Sequence, residues 1–183
     1  MTTLTRQKDT DKIISNEISD RDLLNLCIAN PSLSICKDDN FWRERLFRKY
    51  GRAEKSPEKS WKTFYLQIVY YTDKINNVDR EMYYAAKGGH RDLVDFFIKK
   101  GAKDWNLGIY GATQGGHMDL INFFIDKGAD INWGLETAAR GGRRDLVDFF
   151  IQKGADNWVG GLYNAANAGH HDLVQFFQKK VLQ

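Results

Sequence analysis

Four segments of the chain repeat one pattern: GGHRDLVDFFIKKGA from Gly88, GGHMDLINFFIDKGA from Gly115, GGRRDLVDFFIQKGA from Gly141 and AGHHDLVQFFQKKVL from Ala168. The aspartates Asp92, Asp119, Asp145 and Asp172 mark the period, with spacings of 27, 26 and 27 residues. A period of this size belongs to stacked supersecondary units, each too small to bury its apolar surface alone. That constraint dominates everything else the sequence says.

Each unit reads as two short helices. The first carries Met82, Ala85 and Ala86, then Ile109, Ala112 and Thr113, then Leu135, Ala138 and Ala139, then Leu162, Ala165 and Ala166. Apolar residues at i, i+3 and i+4 mark one buried face, and the small alanines admit a close neighbour. A Gly-Gly or Ala-Gly pair ends this helix and supplies left-handed backbone for the turn. The second helix starts near the recurring Asp, which suits the helix dipole and can cap free N–H groups. Its apolar set in the first copy is Leu93, Val94, Phe96, Phe97 and Ile98. Cations and a glycine then close it. In the last copy Gln178 stands where the others have Ile98, Ile125 and Ile151, and Val181 replaces the glycine. A polar substitution of that kind suits a terminal repeat, so the stack is expected to end there.

The order Leu-x-x-Ala-Ala-x-x-Gly-His-x-Asp-Leu-Val-x-Phe-Phe-Ile-x-x-Gly-Ala over residues 80–183 resembles the ankyrin repeat, and most nearly the ankyrin proteins of giant DNA viruses. The resemblance implies an all-α, ankyrin-like helix–turn–helix solenoid that binds other proteins. Two departures matter. Ankyrin repeats run to about 33 residues, so these units are short. The missing residues fall between Ala102 and Ile109, Ala129 and Leu135, and Ala155 and Leu162, where the family builds a β-hairpin finger. Little or no β-structure is therefore expected. The Thr-Pro that opens the family's first helix is also absent, and Tyr83, Tyr110, Glu136 and Tyr163 stand where a histidine would follow it.

Ahead of the repeats, residues 1–12 read as a disordered tail and residues 13–56 as a small helical segment. Ser19-Asp20 caps a helix with Leu23, Leu24 and Leu26, Pro31 breaks it, and Asp38-Asp39-Asn40 opens another bearing Phe41, Trp42, Leu46 and Phe47. An Asp-Leu-Leu start with a later tryptophan resembles the latter part of an F-box. The resemblance implies a contact with Skp1 through Leu23, Leu24 and Trp42, and hence a tether to a ubiquitin ligase. The plainer alternative is a small helical cap on the repeats. Residues 57–79 read as a linking helix whose Trp61, Phe64, Tyr65 and Ile68 cover the first repeat.

Composition narrows the class. The 183 residues are 42% hydrophobic with two prolines, so the chain can bury a core. The formal charge of +3 is too mild to argue for nucleic acid. The one basic stretch, residues 43–62, holds eight basic and three acidic residues. It reads either as a solvated linker or as a surface for nucleic acid or an acidic partner, as in a structural virion protein. Cys27 and Cys36 are too few for a structural zinc site and read as free thiols in a reducing compartment rather than as a disulfide. No signal peptide or membrane span is visible, so a soluble protein that is intracellular or delivered into a cell interior is expected, and the viral resemblance implies the cytoplasm of a host cell.

The residues give no sign of catalysis. His90, His117 and His170 recur at repeat spacing, with Arg143 interrupting the row, and should hydrogen-bond loop backbone rather than hold a metal. No phosphate loop or nucleophile–base pair is apparent, and no cofactor or metal is expected. Partner binding is placed on the first helices, with Tyr84 and Lys87, Gly111 and Gln114, Thr137 and Arg140, and Asn164 and Asn167 facing outward. Trp105, Trp133 and Trp158, one in each shortened loop, either form contact hot spots or fill the space of the missing fingers.

Overall fold

The computed structural model describes residues 19–50, 53–72 and 77–182; the expected tail at residues 1–12 lies outside them. The described residues form twelve helices and no strand, an all-α protein as expected. The chain divides into two compact units, Met1–Lys74 and Ile75–Gln183.

The first unit contains α1 (Asp20–Ala29), α2 (Ser34–Lys37), α3 (Asp39–Tyr50) and α4 (Trp61–Thr72). Ser19 caps α1, its hydroxyl accepting from the Asp22 N–H at 3.1 Å. Asp38 does the same for α3, accepting from the Asn40 and Phe41 N–H groups. Leu23, Trp42, Leu46, Phe64, Tyr65 and Ile68 are fully buried. Trp42 meets Tyr65 at 5.3 Å between ring centroids and Phe47 meets Trp61 edge-on at 5.3 Å. The aromatics of α4 therefore line this unit's own core. Asp20 accepts hydrogen bonds from Arg45, at 2.8 Å, from Lys49 and from the Tyr65 hydroxyl. Burial alone would raise its carboxyl, but these donors hold it below the usual carboxylate range.

Cys27 and Cys36 form a disulfide, contrary to the expected free thiols. The chain reverses at Pro31, bringing the end of α1 against α2 with the two Cα atoms 5.5 Å apart and both side chains buried. Cysteine usage thus no longer argues for a reducing compartment. No helix among the described residues is long and apolar enough to cross a membrane.

The second unit is a series of helix pairs: α5 (Val78–Lys87) with α6 (Arg91–Lys99), α7 (Trp105–Gly115) with α8 (Met118–Asp126), α9 (Ile131–Arg140) with α10 (Arg144–Gln152), and α11 (Trp158–Asn167) with α12 (His171–Val181). Each first helix also packs on the next, α5 on α7, α7 on α9 and α9 on α11. Asn77, Asp104, Asp130 and Asn157 cap the first helices with their side chains. The recurring Asp is not the cap of the second helix. It sits inside the first turn, and the capping position belongs to His90, His117, Arg143 and His170, none of which makes a side-chain cap bond.

Three glycines inside the first helices set the fit within each pair. Gly108, Gly134 and Gly161 recur at the period, and a Cβ on them would stand 2.3, 2.2 and 2.6 Å from the rings of Phe124, Phe150 and Phe177. Each ring therefore rests on bare helix backbone and is fully buried. Position for position, the first repeat has Glu81 in place of the glycine and Phe97 in place of the seated ring, and both are buried.

Candidate functional site

The joints between repeats are closed by side chains at both ends. At one end, the second residue of a first helix reaches forward. Asp79 Oδ1 accepts from the Lys103 and Asp104 N–H groups at 2.6 and 2.8 Å, Asn106 Oδ1 from Asp130 at 2.8 Å, and Asn132 Oδ1 from Asp156 and Asn157 at 3.0 Å. These bonds satisfy N–H groups of the loops that join successive repeats. At the other end, a histidine reaches back. His117 Nε2 donates to the Lys87 carbonyl at 3.1 Å and His170 Nε2 to the Arg140 carbonyl at 3.0 Å. Since a carbonyl only accepts, Nε2 carries the proton in both. The expected backbone role for these histidines holds for His117 and His170.

The first helices present an aromatic strip. Tyr83 and Tyr110 stack at 5.4 Å with rings 18° from parallel, and Tyr110 meets Trp133 edge-on at 6.4 Å. The Arg140 guanidinium lies 5.0 Å over the Tyr110 ring and donates to its hydroxyl, and the Tyr83 hydroxyl donates to Gln114 Oε1 at 2.7 Å. Trp133 is 46% exposed and Tyr163, one repeat further, 66%. In the repeat of Trp133 itself, Glu136 takes the place of the tyrosine and accepts from Asn157 at 2.6 Å.

Of the positions expected to face outward, Lys87, Gln114, Arg140 and Asn167 are exposed, and Tyr84 and Asn164 are half-buried. Thr137 is not outward: it is 7% exposed and its hydroxyl donates to the Trp133 carbonyl at 2.6 Å. It lies at the crowded side where first helices meet. One repeat earlier Gly111 is buried at the equivalent position, with the Tyr83 carbonyl 2.4 Å from where a Cβ would be. The outward face turns instead through Tyr83, Tyr110 and Tyr163, one residue earlier in each helix. Their recurrence at the period was the available signal.

The three tryptophans are not equivalent, and they stand in helices rather than loops. Trp105 and Trp158 open α7 and α11 and are half-buried, with Lys180 over the Trp158 ring at 5.8 Å. Trp133 sits two residues further into its helix, which turns it outward.

In the first unit Leu23 and Trp42 are fully buried and thus form core, not contact surface, while the side chain of Leu24 lies outside the described residues. Within the basic stretch, Arg45 and Lys49 are tied to Asp20, and Lys55 and Lys62 lie over the Trp61 and Trp42 rings. Gly51 and Arg52 lie outside the described residues. No group of residues suited to hold a metal ion occurs among the described residues. No family model matches the chain, and no curated protein is significantly similar to it.

Proposed function

We propose that residues 77–182 form an ankyrin-like solenoid whose first helices bind another protein. The observation that carries this reading is the strip Tyr83–Tyr110–Trp133, where aromatic rings stand at the surface beside Gln114 and Arg140. Tyrosine, tryptophan and arginine supply most of the energy in protein interfaces, because they bring large contact area with few rotatable bonds. In keeping with the resemblance to viral ankyrin proteins, the proposed target is a host-cell protein.

The first unit is proposed as an accessory module. An adaptor role toward Skp1 would use its exposed surface, including Ile28 at 69% exposure, since Leu23 and Trp42 are committed to its core. A nucleic-acid role for residues 43–62 has less support, because four of its cations are engaged with a carboxylate or aromatic rings.

Affinity capture from host-cell extract tests the reading with the full chain and a Trp133→Ala variant. The variant should unfold within about 1 kcal/mol of the parent, as expected for a surface position, and lose its principal partner. An unfolded variant, or one that keeps the partner, would count against the strip. Recovery of Skp1 that survives deletion of residues 1–50 would remove the adaptor role.

A further inference from the structure

Beside the aromatic strip runs a groove of about 350 Å³ lined by Lys87, Thr113, Gln114, Thr137, Arg140, Gly141 and Arg143. Three cations and no carboxylate line it. Arg140 belongs both to the groove and, through Tyr110, to the strip. Arg143 is held by Asp145 at 3.1 Å. The carbonyls of Lys87 and Arg140, at the ends of their helices, would repel an anion if bare, but His117 and His170 donate to them.

The residue that points to a ligand is Thr113. It is 2% exposed, it lines the groove, and its hydroxyl has no hydrogen-bond partner. Packing does not call for that hydroxyl, since the equivalent positions in the other repeats are Ala86, Ala139 and Ala166. A buried donor without an acceptor is destabilising, so its presence at one repeat, beneath three cations, calls for an acceptor from outside the chain.

We propose that this groove binds an oxyanion carried by an acidic segment of the partner polypeptide, with an apolar side chain of the same segment on the Tyr110–Trp133 strip. Charge-assisted bonds from Arg140, Arg143 and Lys87 fix the anion, and the Thr113 hydroxyl donates the neutral bond beneath. This rests on the reading that the first-helix face binds protein and names the chemistry it selects. A carboxylate side chain and a phosphorylated one share that chemistry.

The test titrates ¹⁵N-labelled full-length chain with three short blocked peptides: Asp-Glu-Trp-Glu, its phosphoserine analogue Asp-pSer-Trp-Glu, and the neutral Asn-Gln-Trp-Gln. Saturable amide shifts at Thr113, Gln114 and Gly141 with either anionic peptide, and none with the neutral one, are expected; the tighter of the two identifies the source of the anion. Thr113→Ala copies the residue of the other repeats, so it should fold, melt higher than the parent and bind several-fold more weakly. Lys87→Gln should weaken binding about tenfold. Shifts scattered over surface lysines, or unchanged affinity in both variants, would overturn the proposal. So would a uridine oligonucleotide that binds the groove more tightly than either peptide. If the groove fails while Trp133→Ala still loses its target, the interaction face stands and only the anion assignment falls.

Discussion

The ring of His117 lies directly on Gly89, a residue of the preceding repeat, so that a Cβ on that glycine would stand 2.6 Å from the imidazole. Gly89 is also left-handed, with φ of +72°. One glycine thus permits both the turn and the contact, and the histidine closes the joint on the Lys87 carbonyl. Removing the imidazole by His117→Ala leaves that carbonyl to water and opens the seam, at a cost of about 1–3 kcal/mol. His117→Arg should cost less, because Arg143 occupies the equivalent position and packs on Gly116. Urea denaturation of the two variants measures the difference.

The phenylalanines seated on helix glycines allow a sharper test. Gly134→Ala would gain about 1 kcal/mol in helix propensity, yet the Phe150 ring blocks the new methyl group. Overpacking of a rigid core outweighs the propensity, so a net loss of about 1–3 kcal/mol is expected. Gly134→Ala combined with Phe150→Leu should be less damaging than the sum of the single changes, which a thermal-unfolding cycle reads directly.

Glu81 gives unit 2 a pH dependence. Burial pushes its carboxyl from 4.5 up to about 7. Below the unfolded value the residue is protonated in both states and carries no penalty. As pH rises toward 7 the unfolded chain releases a proton that the folded chain keeps, so stability falls; above 7 the loss is complete and constant. The total is at most about 3 kcal/mol, from the energy equivalent of a pKa unit. Glu81→Gln should flatten the pH profile and raise stability at pH 8. Unfolding curves at pH 5 and pH 8 for both chains check this.

The Cys27–Cys36 bond spans nine residues. Closing so short a loop stabilises by about 2–3 kcal/mol through the unfolded chain. Alkylation of the native chain should give no adduct without reductant and two after it. Cys27→Ala/Cys36→Ala should unfold earlier by the stated amount.

Periodicity made the helix pairs of the second unit legible, because the same fifteen-residue pattern fixes the same turns four times. The Schellman-type ends follow that reading: Ala102, Ala129 and Ala155 each donate back to a buried Phe carbonyl. The outward face was less legible. Assigning Thr137 to it required knowing which side of the first helix meets its neighbour, and that depends on Gly111 and the inter-helix spacing, not on amphipathicity alone. Gly108, Gly134 and Gly161 were equally periodic, but mid-helix glycine reads as weakness until the ring above it is seen. The disulfide was hidden for another reason. Two cysteines say nothing of pairing until a turn such as that at Pro31 brings their helices together.

The two kinds of joint differ in direction. A side chain at the start of a first helix grips the loop that follows, and a histidine at the turn grips the carbonyl before it. The second repeat, with Asn106 and His117, carries a giving and a receiving half that face opposite ways, while in the third Arg143 stands in place of the histidine. The series has a polarity, as a strand of DNA does: repeats join head to tail and cannot mate head to head through these bonds. A copy of residues 103–129, inserted after residue 129, would bring both halves with it and lengthen the first-helix face by one unit.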